Sequence, residues 1–259
     1  MAQYGREGSS VVDFHHALVI GASSGIGEAV ARRLAAGGTR VALVARRASR
    51  LEEIVASING AAGEQRALGF AHDVRNAAEV PELLQRIAAA LGGLDLVVWA
   101  AGIQHRVAFD EYDVAKDQEM LAVNLAGAVA WLDPVAERFG RLRRGTIVGI
   151  GSVAGDRGRS ANPAYNTSKA GLHTFLETIR NRIGRHGVRV VTVKPGFVDT
   201  AMTAGMAATP GKISAERAAE VIVRRARRGR ETVYVPARWR YVMWVIRAMP
   251  SFLFKRLKV

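Results

Sequence analysis

Short, nearly continuous apolar runs alternate with longer stretches of helical spacing along most of this chain. The runs fall at residues 17–20, 40–45, 66–71, 94–100, 145–150, 188–194 and 232–235, and each predicts a strand. Several of them, LDLVVWA, GTIVGI and VRVVTV among them, lack the apolar–polar alternation of a half-exposed sheet. That pattern belongs to strands covered on both faces. Helical stretches fill the gaps, so the chain reads as successive βα units. The predicted fold class is α/β: a doubly wound, seven-stranded parallel sheet between two helical layers. One domain is expected through residue 235, behind a loose N-terminal arm at 1–13, with a tail at 236–259. In such a sheet the ligand crevice lies beyond the carboxyl ends of the strands. The chemistry should therefore sit in the loops that follow them.

The first of those loops is GASSGIG, residues 21–27, placed between the first strand and an alanine-rich helix. A helix that starts from a glycine turn presents unpaired backbone N–H groups to one point, which suits a phosphate. Gly21, Ser23, Ser24, Gly25, Ile26 and Gly27 are the candidate cradle, although an ordinary strand-to-helix connection can carry the same glycines. The second strand ends as VALVARR. Where a carboxylate would take the ribose hydroxyls of NAD, Arg46 and Arg47 stand instead and suit a 2′-phosphate. NADP(H) is thus expected in preference to NAD(H), the alternative being that these arginines merely begin the next helix in solvent. After the third strand come His72, Asp73 and Val74. Asp73 is placed either to accept from an adenine amino group or to cap the following helix, and His72 is read as structural.

Tyr165 and Lys169 stand four apart in a helical segment, PAYNTSKAGLHTFLETIRNRI, and so share one face. An ammonium beside a phenol favours phenolate, which is expected to lower the tyrosine's pKa toward the range of a working acid or base. Ser152, at the end of the preceding strand, supplies a hydroxyl that could hold a substrate oxygen.

Composition sets limits on these readings. At 259 residues and 49% hydrophobic content the chain can bury a large core. It has no cysteine, so disulfides and thiolate metal sites are excluded and a reducing compartment is compatible. The first dozen residues lack the apolar core of a signal peptide. No apolar run approaches the roughly 18–20 residues that would span a bilayer. Lys and Arg number 37 against 23 Asp and Glu, a formal +14, which favours anionic partners or else describes a well-solvated arginine-rich surface.

The glycine turn, Asp73, Asn124, Ser152, Tyr165, Lys169 and the PGFVDT stretch, in this order and spacing, resemble the short-chain dehydrogenase/reductase family over residues 14–235. The resemblance implies a Rossmann fold and a hydride exchange with a nicotinamide. It gives Tyr165 the role of acid/base and Lys169 that of ribose ligand. Ser152 would orient the carbonyl and Asn124 would hold a water. It also places Ala101, Gly102, Pro195, Gly196, Val198 and Thr200 around the cofactor and makes a homodimer or homotetramer the expected assembly. One departure stands out: Trp99, Ala100, Ala101 and Gly102 replace the usual Asn-Asn-Ala-Gly, so a local hydrogen bond must be made otherwise.

Beyond the seventh strand, PARWRYVMWVIRAMPSFLFKRLKV mixes aromatics with Arg and Lys and follows another basic cluster, RRARRGR. This fits an element lying in an anionic bilayer interface; packing on the core or on a second subunit is the alternative, and nucleic acid is not expected. The segments SVAGDRGRSANPAYNTSKAGL and VKPGFVDTAMTAGM also resemble bacterial decaprenylphosphoryl-2-keto-ribose reductases. That narrower likeness implies a lipid-phosphate-linked keto sugar as substrate and a cytoplasmic location at the inner membrane face. The 200–212 loop, with Met202 and Met206, is expected to act as a lid. The competing expectations are a soluble 3-oxoacyl or small-alcohol dehydrogenase and a non-catalytic NADP sensor.

Overall fold

A computed structural model describes residues 11–204 and 211–257. Strands β1 (His16–Ile20), β2 (Arg40–Ala45), β3 (Ala67–Ala71), β4 (Leu96–Trp99), β5 (Thr146–Ile150) and β6 (Arg189–Pro195) belong to the main sheet. Two-residue strands β7 (Val198–Asp199) and β8 (Ile213–Ser214) pair with each other, and β9 (Thr232–Val235) completes the main sheet. Its seven strands are all parallel, in the order β3-β2-β1-β4-β5-β6-β9. This is the doubly wound Rossmann-like sheet that the pattern of apolar runs predicts.

The absence of alternation in those runs has a direct cause. Along β1, Ala17 and Val19 face helices α1 (Gly25–Ala36), α2 (Ala48–Ala62) and α7 (Ala215–Arg227), whereas Leu18 and Ile20 face α3 (Val80–Leu91), α5 (Gly127–Leu142) and α6 (Pro163–Ile183). Both faces are dry, so neither tolerates a polar residue. The helices end where the sequence permits it: α2 and α3 stop at Gly63 and Gly92, both left-handed, and Ser214 caps α7 through the Arg217 N–H at 3.1 Å.

The strand order reverses between β1 and β4, and there the loops after the two strands diverge to open the crevice. The 94–100 run yields a shorter strand than its hydropathy suggests. Asp95 spends its carboxylate on the His15 and His16 N–H groups and marks the strand's entry, while Ala100 still donates to Ile20. Helix α4 (Val114–Leu121) runs into α5 through a single π-turn at Ala122–Ala126, a feature that periodicity does not reveal. The tail is helical, with α8 (Trp239–Ala248) and α9 (Ser251–Phe254). Residues 205–210 of the expected lid, Met206 among them, the first ten residues of the N-terminal arm and the last two of the tail lie outside the described residues.

Helix α6 lies unusually close to β5 because Gly149 has no side chain; a Cβ there would come within 2.2 Å of Leu176 Cδ1, which is fully buried. Gly149→Val is expected to cost about 1–3 kcal/mol of stability by overpacking. Urea unfolding checks this, and an unshifted midpoint would refute the packing account.

Candidate active site

One cleft of about 670 Å³ opens along the carboxyl edge of the sheet, within the size range of small-molecule and cofactor sites. It runs from the glycine turn and the end of β2 to the start of α6 and the loop after β6. Of the residues expected at a site, Gly21, Ser23, Ser24, Gly25, Ile26, Gly27, Arg46, Arg47, Val74, Ala101, Gly102, Ser152, Tyr165, Lys169, Pro195, Gly196, Val198 and Thr200 line it. Asp73 and Asn124 do not.

The turn is built for close approach. Gly21 has φ +87°, and a Cβ on it would lie 2.4 Å from the Ala101 nitrogen; on Gly27 it would lie 2.2 Å from the Gly21 carbonyl oxygen. Any side chain would separate β1 from the β4 loop or lift α1 from the turn. Ser24, which precedes α1, makes no side-chain cap, so the first N–H groups of the helix remain available to a ligand. Arg47 Nη2 donates to the Ser23 carbonyl at 3.2 Å and to Ser23 Oγ at 2.9 Å. This holds a guanidinium beside the same turn, and exposed Arg46 flanks it. Glycine cradle, uncapped helix start and fixed guanidinium together fit a phosphate-bearing dinucleotide.

Asp73 does not cap the short helical turn at Ala77–Glu79, which starts from Asn76. Its carboxylate is held by Arg75, through the backbone N–H at 3.0 Å, Nε at 3.1 Å and Nη2 at 2.6 Å. Those hydrogen bonds, above all the side-chain ones, pull its pKa down. The carboxylate therefore closes its own turn, two residues on, and Val74 is what this turn presents to the cleft.

Asn124 lies in the π-turn and is fully buried. Its Oδ1 accepts from the Ile103 N–H at 2.7 Å, and its Nδ2 donates to the Ile103 carbonyl at 2.9 Å and to Ser168 Oγ at 3.1 Å. Both ends of the amide are engaged by protein, so its side chain clamps the segment after β4. This clamp ties down the stretch in which Trp99 and Ala100 replace the usual asparagines.

The cleft's other end carries the titratable set. Tyr165 is buried, and the Ser152 hydroxyl hydrogen-bonds to its phenol. Ser152 Oγ also accepts from the Ala154 N–H at 3.1 Å. Lys169 Nζ lies 5.7 Å from the Tyr165 ring centroid and donates to the Ile150 carbonyl at 3.2 Å. The expected lowering of the tyrosine pKa does not appear. Burial pushes it up, and only the Ser152 hydrogen bond pulls the other way. The ammonium is desolvated too, which brings Lys169 down to about 8.

A second buried cluster braces this end. Asp156 accepts from Lys194 Nζ at 2.5 Å and from Tyr234 Oη at 2.7 Å, with His173 Nδ1 at 3.7 Å. Burial and the charge of Lys194 bring His173 down to about 3, so it is neutral and its Nε2 can accept the Ser152 N–H at 3.4 Å. The tail also meets the site. The Trp239 indole packs on Gly196 and stands edge-on to Phe197, with ring centroids 5.7 Å apart. Arg157 donates to the Ile246 and Met249 carbonyls and lies 3.9 Å from the centroid of the Phe254 ring. Sequence reasoning missed Arg157, Arg159, Phe197 and Trp239. The one available signal was that residues 153–164 must cross the cleft between Ser152 and Tyr165.

The fold and this acid/base set define a nicotinamide-dependent oxidoreductase. The model of the short chain dehydrogenase family matches residues 15–211, and the chain belongs to that family. An uncharacterized oxidoreductase of Streptomyces coelicolor is 36% identical over 247 residues, covering 93% of this chain and 95% of that protein. Among solved structures, a short-chain dehydrogenase from Sphingobium yanoikuyae in complex with NADPH has a TM-score of 0.79 at 22% identity, covering 92% of this chain and 97% of that one. An actinorhodin polyketide ketoreductase with NADPH has a TM-score of 0.75 at 26% identity, covering 86% and 96%.

Lys169 carries a sign that can be tested. Its pKa falls from 10.5 to about 8 on folding, so between those values the unfolded chain holds the proton that the folded one has released. Folding stability of the protein without cofactor should rise with pH across that window. Lys169→Met is expected to remove this part of the slope, measured by urea unfolding at pH 7.5, 9 and 10; an unchanged slope would contradict the assignment.

Proposed function

We propose that the protein reduces a ketone to a secondary alcohol with NADPH, with Tyr165 as the proton donor. The observation that carries this reading is a buried phenol, bonded to Ser152 and beside Lys169, at one end of a cleft whose other end is a phosphate cradle flanked by Arg46 and Arg47. The residues of the turn would hold the pyrophosphate, the two arginines the 2′-phosphate, and Lys169 the nicotinamide ribose. Pro195, Gly196, Val198 and Thr200 line the wall where the nicotinamide would rest. When bound, the reduced cofactor supplies the hydride.

The chain's own part is proton handling and alignment. Ser152 Oγ holds the substrate oxygen by a hydrogen bond, and Tyr165 Oη transfers its proton to that oxygen as negative charge develops there. Burial raises the phenol's pKa, which keeps the proton in place until the oxygen becomes basic enough to take it. A lysine with a pKa of about 8 is mostly charged at neutral pH and favours the phenolate left behind. Tyr165→Phe is expected to keep NADPH binding and to lower kcat by about 10²–10⁴-fold, with NADPH consumed faster than NADH by the parent enzyme on a panel of soluble and lipid-linked ketones. Comparable turnover by the variant would remove Tyr165 from the mechanism.

The proposal extends to location. Tyr241, Trp244 and Val245 are exposed on α8, as are Phe252 and Leu253 in α9, and exposed Arg240, Arg247, Lys255 and Arg256 flank them. Among the described residues no helix is long and apolar enough to cross a membrane. An apolar face edged with cations supports a cytoplasmic protein seated on an anionic membrane surface, where an apolar or lipid-linked ketone would be met. The likeness to decaprenylphosphoryl-2-keto-ribose reductases narrows the proposed substrate to a lipid-phosphate-linked keto sugar. Flotation with phosphatidylglycerol-containing vesicles should show binding that weakens with salt and falls in Trp244→Ala. A protein that stays unbound at low salt, with a dimer that Trp244→Arg dissociates, would assign this face to a second subunit instead.

A further inference from the structure

The cleft has a cationic group at each end, and the proposed cofactor accounts for only one of them. At the substrate end stands Arg159, in the loop between Ser152 and α6. Among the described residues its Nε is buried without a hydrogen-bond partner, and its Nη2 reaches the sulfur of Met243, at 3.8 Å. Among the described residues no carboxylate comes within ion-pairing distance of it. The acidic group that acts on it, from further off, is Asp156, whose two oxygens already serve Lys194 and Tyr234.

The main chain that carries the guanidinium is held in place. Asn166, the residue after Tyr165, donates from Nδ2 to the Arg159 carbonyl at 3.4 Å and to the Ala161 carbonyl at 2.9 Å. The main chain of the loop is thereby fastened to the helix that carries the acid/base pair. Met243, the one buried residue of α8, sits against the guanidinium from the tail side. The rest of this wall is largely apolar: Ile103, Val153, Ala154, Ala161, Phe197 and Met202 line the same cleft. A half-buried cation in such a wall has lost part of its hydration without gaining a direct ion pair, a cost that a bound anion offsets. A guanidinium fork offers parallel donors that match a carboxylate or phosphate.

We infer that Arg159 is the anion-recognition element of the substrate side, so that the ketone reduced here carries a carboxylate or phosphate group. This rests on the ketone-reductase reading and deepens it: a charged handle docked on Arg159 would fix the substrate relative to Ser152 and Tyr165. Burial lowers the arginine's pKa from its usual value, and the charge of Asp156 opposes this.

The test compares matched ketones in the NADPH-saturated enzyme, levulinate against methyl levulinate and dihydroxyacetone phosphate against dihydroxyacetone. The parent enzyme should prefer the anionic member of at least one pair, and which pair shows it tells carboxylate from phosphate. In Arg159→Gln that preference, read as the ratio of kcat/KM values, should fall by about ten- to a hundredfold, mostly through KM. Arg159→Lys should restore part of it. Calorimetric titration of inorganic phosphate into the NADPH complex gives a readout that needs no turnover: binding is expected in the parent and lost in Arg159→Gln, with thermal unfolding confirming that the variant is folded. Phosphate binding that depends on Arg159 while no ketone is reduced would uphold the anion site and sink the reductase reading. Ketone reduction without anionic preference, together with phosphate binding unchanged by Arg159→Gln, would overturn the anion site and leave the reductase reading standing.

Discussion

The site depends on one packing constraint: α6 must lie close enough to β5 to keep Tyr165 and Lys169 out of water. Leu176 fits over Gly149, and Ser168, which donates to the Tyr165 carbonyl, in turn accepts from Asn124. A phenol and an ammonium removed from solvent are both pushed toward their neutral forms. Proximity between them does not by itself settle either pKa. Desolvation does, opposed at the phenol by the Ser152 hydrogen bond, and in this protein it leaves a tyrosine that holds its proton and a lysine brought down to about 8. Such a tyrosine is an acid before it is a base.

The surroundings of that pair are stiffened by groups that never reach the reacting atoms. Asp156, tied to β6 through Lys194 and to β9 through Tyr234, anchors the loop that carries Arg157 and Arg159. The tail covers the same loop: Arg157 grips the carbonyl end of α8, Met243 lies beneath Arg159 and Trp239 rests on Gly196. One side of α8 thus backs residues that line the cleft while its opposite side faces outward with Tyr241, Trp244 and Val245.

The surplus of positive charge divides by location. On α7 the arginines lie opposite a buried stripe of Ala218, Ala219, Ile222 and Ala226, and several fall in the last turn, where they complement the helix dipole. Arg217 and Arg224 pair with Glu220. This is a solvated face. Around the cleft and tail the cations are set beside apolar surface, where each has less water and more need of a partner.

The fold was legible in the sequence because a parallel sheet buried on both faces admits only apolar residues, and seven such runs stood out. The glycine turn was legible as well, since only Gly21 and Gly27 permit the contacts seen there, and so was the pairing of Tyr165 with Lys169 by helical spacing. What spacing could not reveal was direction. Asp73 and Asn124 stand where spacing placed them, but that the carboxylate is held by Arg75 and the amide by Ile103 is set by backbone and guanidinium partners that no short motif displays. Arg159 carried no sequence signal, being one arginine among many. Only the tertiary structure set it in an apolar wall without a counter-charge, and burial, a property of the assembled fold and not of any short stretch of chain, separates it from the arginines left in solvent.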